Sequence, residues 1–290
     1  MKKIMILLIA VCCFNYSNAQ YANTFSYLGQ AIGRAINVAS LYSDYEYAGI
    51  GCFYGALLQP GESITLNYSF DGDASYLISG VADEDVNDLD LYINDLNGNI
   101  ILSDPKTDNV PIIYYTTSYT VNRVIKMKNF SAERASFCIL QILKRGYRHN
   151  LSIQSLTEAA TTCLISSAIF YDKGQENNIS FTFPGSLFCL FGGCYYKGAY
   201  NGLMNVKVPY SGNYLLIGVG SNNISDVDIK IIRQYNSENS SGEVLCSDTK
   251  IEEFAFCDSY LYTWNNYYLE LKNYNSDSKG FIFGVLLKEN

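Results

Sequence analysis

Five carboxylates fall within eight consecutive positions of the stretch GVADEDVNDLDLYI: Asp83, Glu84, Asp85, Asp88 and Asp90. Like charges at that density raise one another's pKa unless a cation intervenes. On a strand, Asp88 and Asp90 project to one face while Leu89, Leu91 and Ile93 project to the other, and two strand rises set the acids about 6–7 Å apart. Calcium takes about six to eight oxygen ligands, which an irregular loop of Asp side chains and carbonyls ahead of a strand can supply. Asp83, Asp85, Asp88 and Asp90 are therefore the candidate metal ligands and calcium the candidate cofactor, although no complete EF-hand-like spacing is present. The competing reading is that these acids cap turns and face water.

Other chemistry is thinly furnished. The single histidine, His149, sits in KRGYRHNL, and any Ser-His-Asp or Cys-His arrangement would have to use it. Phosphate-binding loops are absent from the sequence. Paired carboxylates can hydrolyse glycosides, but acids in a duplicated structural loop point to a folding role, so the sequence reads as a non-enzyme. A net charge of −8 offers no cationic footprint for nucleic acid.

The elements that position the acids emerge when the stretch is slid along the chain. YLISGVADEDVNDLDLYI (Tyr76 to Ile93) lies over YLLIGVGSNNISDVDIKI (Tyr214 to Ile231) at an offset of 138, with seven identities in eighteen positions and no gap. Upstream, Leu66, Tyr68 and Phe70 fall on Met204, Val206 and Val208. After a six-residue insertion in QYNSENSSG, Gly98 meets Gly242, Ser103 meets Ser247, and KNF at Lys128 meets KNY at Lys272. The chain reads as a tandem duplication. In the second copy Asp83 and Asp85 become Ser221 and Asn223, while Asp226, Asp228 and Asp248 remain.

Period-two runs such as Ile64/Leu66/Tyr68/Phe70, Leu89/Leu91/Ile93 and Ile125/Met127, punctuated by Gly, Asn, Asp and Pro, predict half-buried antiparallel strands. Many short strands with frequent turns predict a β-sandwich or jelly roll in each copy. An amphipathic helix precedes each sandwich. Phe25, Leu28, Ile32, Ala35, Ala39 and Tyr42 mark the first; Leu156, Ala160, Cys163, Ser167 and Phe170 mark the second, with Ser155 and Glu158 as a capping box. The expected fold class is mainly β, two tandem jelly-roll-like sandwiches each led by a helix, over residues 20–150 and 151–290.

A copy reading G-x-L-x-P-G-E-S, then a strand, then Y-L-x-x-G-x-x-D-x-D-x-x-D-L-D-L-Y-I, D-x-x-G-N and S-D resembles the bacterial pre-peptidase C-terminal domain, a jelly-roll sandwich appended to secreted peptidases. The resemblance runs from Gly55 to Cys138; the second copy, with SNNISDVD, carries it less well. The chain is similar also to secreted bacterial proteins in which a short helix precedes such a sandwich. The resemblance implies export and the sandwich fold, and related collagenase sandwiches bind calcium and matrix proteins.

Residues 1–19 read as a secretory leader, with Lys2 and Lys3, an apolar run from Ile4 to Phe14 and small residues Ser17 and Ala19 at the cleavage site. LIAVC lacks the small residue that a lipoprotein cysteine at Cys12 or Cys13 would want. A run of eleven is too short to span a bilayer, so a secreted or periplasmic protein without a transmembrane segment is expected. Seven cysteines follow the leader: Cys52, Cys138, Cys163, Cys189, Cys194, Cys246 and Cys257. With no CxxC and one histidine they read as disulfides before zinc ligands. The local pairings are Cys189 with Cys194 and Cys246 with Cys257, the latter across a hairpin.

Twenty-six tyrosines offer a second route to recognition. IIYYTTSY (Ile112 to Tyr119) and YLYTWNNYY (Tyr260 to Tyr268) are the candidate faces for glycan or protein, half of each run being expected in the core. Sequons at Asn67, Asn129, Asn150, Asn178, Asn223 and Asn239 receive no function. The function expected is a secreted, non-catalytic, calcium-stabilised binding or adhesion module for protein or polysaccharide. Its alternatives are a structural partner of another envelope protein and a hydrolase using paired carboxylates.

Overall fold

A computed structural model describes residues 22–104, 106–146, 153–176, 180–235, 241–251 and 254–290. The leader, His149, part of the QYNSENSSG insertion and the sequons at Asn150, Asn178 and Asn239 lie outside the described residues. The first copy comprises α1 (Ala22–Leu41), β1 (Tyr45–Tyr47), β2 (Phe53–Leu58), β3 (Ser63–Phe70), β4 (Ala74–Ala82), β5 (Val86–Asn94), β6 (Ile100–Asp104), β7 (Ile112–Thr117), β8 (Val121–Ala132) and β9 (Ser136–Arg145). The second comprises α2 (Ile153–Glu176), β10 (Phe181–Thr182), β11 (Phe188–Tyr195), β12 (Tyr200–Val206), β13 (Gly212–Gly220), β14 (Ile224–Gln234), β15 (Gly242–Asp248), β16 (Phe254–Leu261), β17 (Tyr267–Ser276) and β18 (Gly280–Glu289). No helix among the described residues is long and apolar enough to cross a membrane.

The fold is mainly β, two antiparallel sandwiches in tandem, each led by a helix. Equivalent residues occupy equivalent strands. Tyr76 of β4 pairs with Lys144 and Tyr214 of β13 with Lys288; Lys128 of β8 pairs with Asp90 and Lys272 of β17 with Asp228. Of the expected inward set, Ile64, Leu66, Phe70, Leu89, Leu91, Ile93, Ile125 and Met127 are buried and Tyr68 is half-buried. A buried asparagine recurs in each copy. Asn129 donates to the carbonyl of Leu58 at 3.1 Å and Asn273 to that of Tyr195 at 3.3 Å. Each also closes on a glycine in the left-handed region, Gly61 (φ 84°) and Gly198 (φ 81°), whose N–H it receives.

The two sandwiches share a sheet. Strands run β16-β13-β18-β11-β2-β9-β4-β7 through one sheet, with β1 on β9 and β10 on β18, while β3-β8-β5-β6 and β12-β17-β14-β15 form two separate outer sheets. The junction is β2 against β11, the same strand of each copy, paired antiparallel through Gly55↔Leu190, Tyr54↔Phe191 and Phe53↔Gly192. Equivalent strands paired antiparallel are related by a local two-fold normal to the sheet, so both outer sheets lie on one face and both helices on the other. Side chains obey that division. Tyr76 packs its ring on Phe70 of β3 at 4.9 Å, whereas Ser79 and Gln141 turn the other way, Gln141 donating to Ser79 and to the Ala35 carbonyl of α1. The helices touch each other and pack on β4 and β9 and on β13 and β18. Leu28, Ile32, Ala35, Leu156, Ala160, Cys163 and Ser167 are buried beneath them.

Four expectations need correction. Leu203, not Met204, is the buried partner of Leu66's position: Met204 is 44% exposed, and a bulge between Leu203 and Val206, with Asn205 at φ 58°, restores the register. Cys189 and Cys194 are both free and buried; five residues apart along one extended strand, their Cα atoms stand about 16 Å apart, far beyond the about 7 Å that a disulfide spans. Cys246 and Cys257 are bonded, with Cα atoms 5.8 Å apart, but β15 and β16 belong to different sheets, so the bond joins the layers of the sandwich rather than the arms of a hairpin. The second helix begins at Ile153, which puts Ser155 inside it rather than at its cap.

The junction has no room for side chains on its glycines. A Cβ at Gly193 would stand 2.5 Å from the Gly49 carbonyl oxygen and 2.6 Å from the Gly51 nitrogen, both backbone. Gly193→Ala is expected to cost about 1–3 kcal/mol through forced displacement, read as a lower urea midpoint at unchanged slope. An unaltered midpoint would mean that the two copies do not meet this closely.

Candidate functional site

The acidic stretch is a docking point for α1. Asp83 is fully buried; its carboxylate accepts the Phe137 N–H at 2.7 Å and the Asp85 N–H at 3.1 Å. Glu84 accepts the Gln30 amide at 3.2 Å, and Arg34 donates to the carbonyls of Ala82 and Asp83 at 2.9 and 3.0 Å. Asp85 pairs with Arg134 at 2.6 Å, and that guanidinium bonds the Tyr27 hydroxyl and lies over its ring. Tyr27, Gln30 and Arg34 are one face of α1.

Asp88 and Asp90 stand apart from this group, on the outer face of β5. Asp90 accepts the Tyr92 hydroxyl at 2.7 Å and stands cross-strand from Lys128. Burial, then the charges of Asp90 and Asp108, raise the Asp88 pKa against the pull of Lys128. Asp108, which sequence reasoning did not select, is held in its own turn by the Val110 N–H. The structure thus brings Asp83 to Asp85 and Asp88 to Asp90, but not the four to one point. Among the described residues no group of three or more His, Cys, Asp or Glu side chains is placed to hold a metal ion. In the second copy Ser221 takes the place of Asp83, its hydroxyl accepting the Phe281 N–H at 3.1 Å. Asp104 and Asp248 repeat one role, accepting the N–H of Ile112 and of Phe256.

A different feature is presented to solvent. Tyr260, Tyr262 and Trp264, at the end of edge strand β16 and in the following turn, are 49%, 39% and 72% exposed. Their rings form a chain, with centroids 4.9 Å apart from Tyr260 to Tyr262 and 4.6 Å from Tyr262 to Trp264, the latter pair tilted by 31°. The turn beneath them is pinned. Buried Tyr267 receives the Tyr262 N–H at 2.6 Å and bonds its carbonyl, Asn265 closes on the same carbonyl, and Ser211 accepts the Thr263 N–H. The other aromatics of the segment, Tyr267 and Tyr268, are core.

The first copy supplies an internal comparison. Ala74↔Thr117 and Gly212↔Leu261 are equivalent pairs, so Thr116, Ser118 and Thr120 occupy the positions of Tyr260, Tyr262 and Trp264. The equivalent turn, which carries the chain from the shared sheet to an outer sheet, folds with three small hydroxyl residues. Packing within the sandwich therefore does not call for the rings.

No protein-family model and no curated protein matches the chain. Solved structures resemble it distantly. The M60 catalytic domain with two CBM51 domains of Clostridium perfringens ZmpB matches at 8% identity and a TM-score of 0.26, over 85% of this chain and 37% of that one. A fucolectin from Morone saxatilis serum matches at 9% and 0.20, over 82% and 85%. The tandem CBM22-1–CBM22-2 domain of Paenibacillus barcinonensis Xyn10C matches at 10% and 0.23, over 84% and 98%. Likeness at this level carries no residue, ligand or activity across.

Burial holds the Asp83 pKa up to about 6 against the pull of its two N–H donors, where an unfolded carboxylate titrates near about 3.9. The native state then binds the extra proton between those values, so this residue's contribution is fully present below about pH 4 and is lost as pH rises through about 6. Asp83→Ser, the residue of the second copy, should remove that loss. The melting temperature of the variant relative to the parent is expected to climb between pH 4 and pH 6.5, and a difference that stays flat across this window contradicts the burial reading.

Proposed function

We propose that the protein is a non-catalytic binding module that takes a neutral polysaccharide on the Tyr260–Tyr262–Trp264 strip. One observation carries the reading: three exposed, mutually packed rings stand where the duplicate copy folds with Thr116, Ser118 and Thr120. Rings that the fold does not require are explained by a ligand. Aromatic faces stack on the C–H faces of sugars, and tyrosine adds a hydroxyl at the edge. The pinned turn presents the rings already ordered, which lowers the entropy lost on binding. A protein carrying net charge −8 repels polyanions, which favours uncharged chains. The Cys246–Cys257 bond supports an exported setting, secreted or periplasmic, where disulfides persist. Calcium forms no part of this reading, because the carboxylates of Asp83 and Asp85 are engaged by backbone N–H groups and by Arg134.

Electrophoresis through native gels containing soluble xyloglucan, mixed-linkage glucan or galactomannan tests it. At least one polymer should retard the protein, and Trp264→Ala should weaken retardation at least tenfold, about 1.4 kcal/mol. With most of its surface in solvent, Trp264 contributes little to folding, so the melting temperature should stay within a degree or so. Retardation that survives both Trp264→Ala and Tyr262→Ala would place binding elsewhere.

A further inference from the structure

Between the two outer sheets lies a cleft of about 750 Å³, reached by Tyr54 and Phe188, whose rings are 5.3 Å apart. Its walls are β3 and β12, the edge strands of the two outer sheets. Seven consecutive residues from each side enter the lining, Ser63 to Ser69 and Asn201 to Lys207. A strand presents alternate residues on each face, so an uninterrupted run means that the backbone edge itself looks into the cleft.

The two edges are not alike. β12 is blunted: it bulges between Leu203 and Val206, with Asn205 in the left-handed region at φ 58°. Lys207, just past its end, is the one charged side chain in the lining among the described residues. β3 carries none of these devices. It pairs with β8 without a slip from Ser63↔Lys128 to Phe70↔Val121, and SITLNYSF holds no charge and no proline. Open edges of this regularity are ones that natural sheets cover or use. Here the second copy shelters β3 from open solution without pairing to it; among the described strands its ladder partner is β8 alone.

We propose that the cleft is a strand-addition site, in which an extended peptide pairs with the free edge of β3 and becomes a fifth strand of the first outer sheet. Main-chain bonds to β3 supply affinity, and alternate side chains supply selection. Every second side chain of the guest would point down onto Tyr54 and Phe188, which selects apolar residues at those positions. Lys207 selects a carboxylate at its end of the cleft. The continuous backbone wall favours peptide over sugar, because its donors and acceptors repeat at strand spacing, a pattern that another extended main chain matches. The site is separate from the aromatic strip and does not depend on it.

Twelve-residue peptides displayed on phage and selected on the full chain test this. Enriched sequences should alternate apolar with polar residues and carry an acid. When resynthesised, one should slow amide exchange at Ser63–Phe70 at least tenfold. N-methylation at alternate backbone amides, with every side chain kept, should weaken it at least tenfold, and so should Lys207→Glu. Thr65→Arg combined with Asn67→Arg changes two exposed residues and should abolish binding. Indifference to N-methylation at every position, protection outside β3, or no enrichment over the double variant would overturn the proposal. So would xylohexaose protecting β3 where no peptide does.

Discussion

The pairing of β2 with β11 is the constraint on which the rest of the structure depends. It joins two sandwiches through equivalent strands, and the close approach is possible because Gly55 faces Leu190 and Gly193 lies against the backbone of Gly49 and Gly51. The resulting two-fold relation puts both helices on one face of the shared sheet, where they pack on each other, and both outer sheets on the other, where a cleft is left between them. A linker between two separate sandwiches would produce neither the helical layer nor the cleft. The aromatic strip is set by the same geometry, at the far edge of the shared sheet on β16.

Charge is spent on assembly in this protein. The acids of the first copy do not crowd around one centre; they meet partners that approach from elsewhere in the chain, Gln30 and Arg34 from α1 and Arg134 from the turn before β9. Hydrogen bonds that bring distant segments together fix the seat of the helix on its sandwich. In the second copy the equivalent loop holds the turn between β17 and β18 with a neutral group, Asn223 donating to the carbonyls of Ser278 and Lys279. Duplication followed by divergence explains how one loop became acidic and the other did not.

The duplication, the strands and the helical stripes were legible because each is a periodic signal. The offset between Tyr76 and Tyr214 survives as equivalent pairing, and the alternation Leu89/Leu91/Ile93 survives as burial. The shared sheet was harder to read. Phe188–Tyr195 is buried at every position, and such a run signals a strand covered on both faces but not which strand lies beside it. The slip at Met204 escaped notice because a bulge shifts register without changing composition. Partners of the acids lie about fifty residues away, beyond the reach of local pattern. The exposed half of YLYTWNNYY was visible as a candidate, but only the register against Thr116, Ser118 and Thr120 separates it from ordinary sheet surface.

Scanning calorimetry of the chain tests the central claim, that the two sandwiches are one body built on one sheet. Strands that pair across the junction should couple the unfolding of both halves, giving a single endotherm whose calorimetric and van't Hoff enthalpies agree. Gly193→Ala should shift that endotherm as a whole. Two resolved transitions in the parent protein, with only one of them moved by Gly193→Ala, would show that the copies fold independently and that the β2–β11 pairing does not unite them.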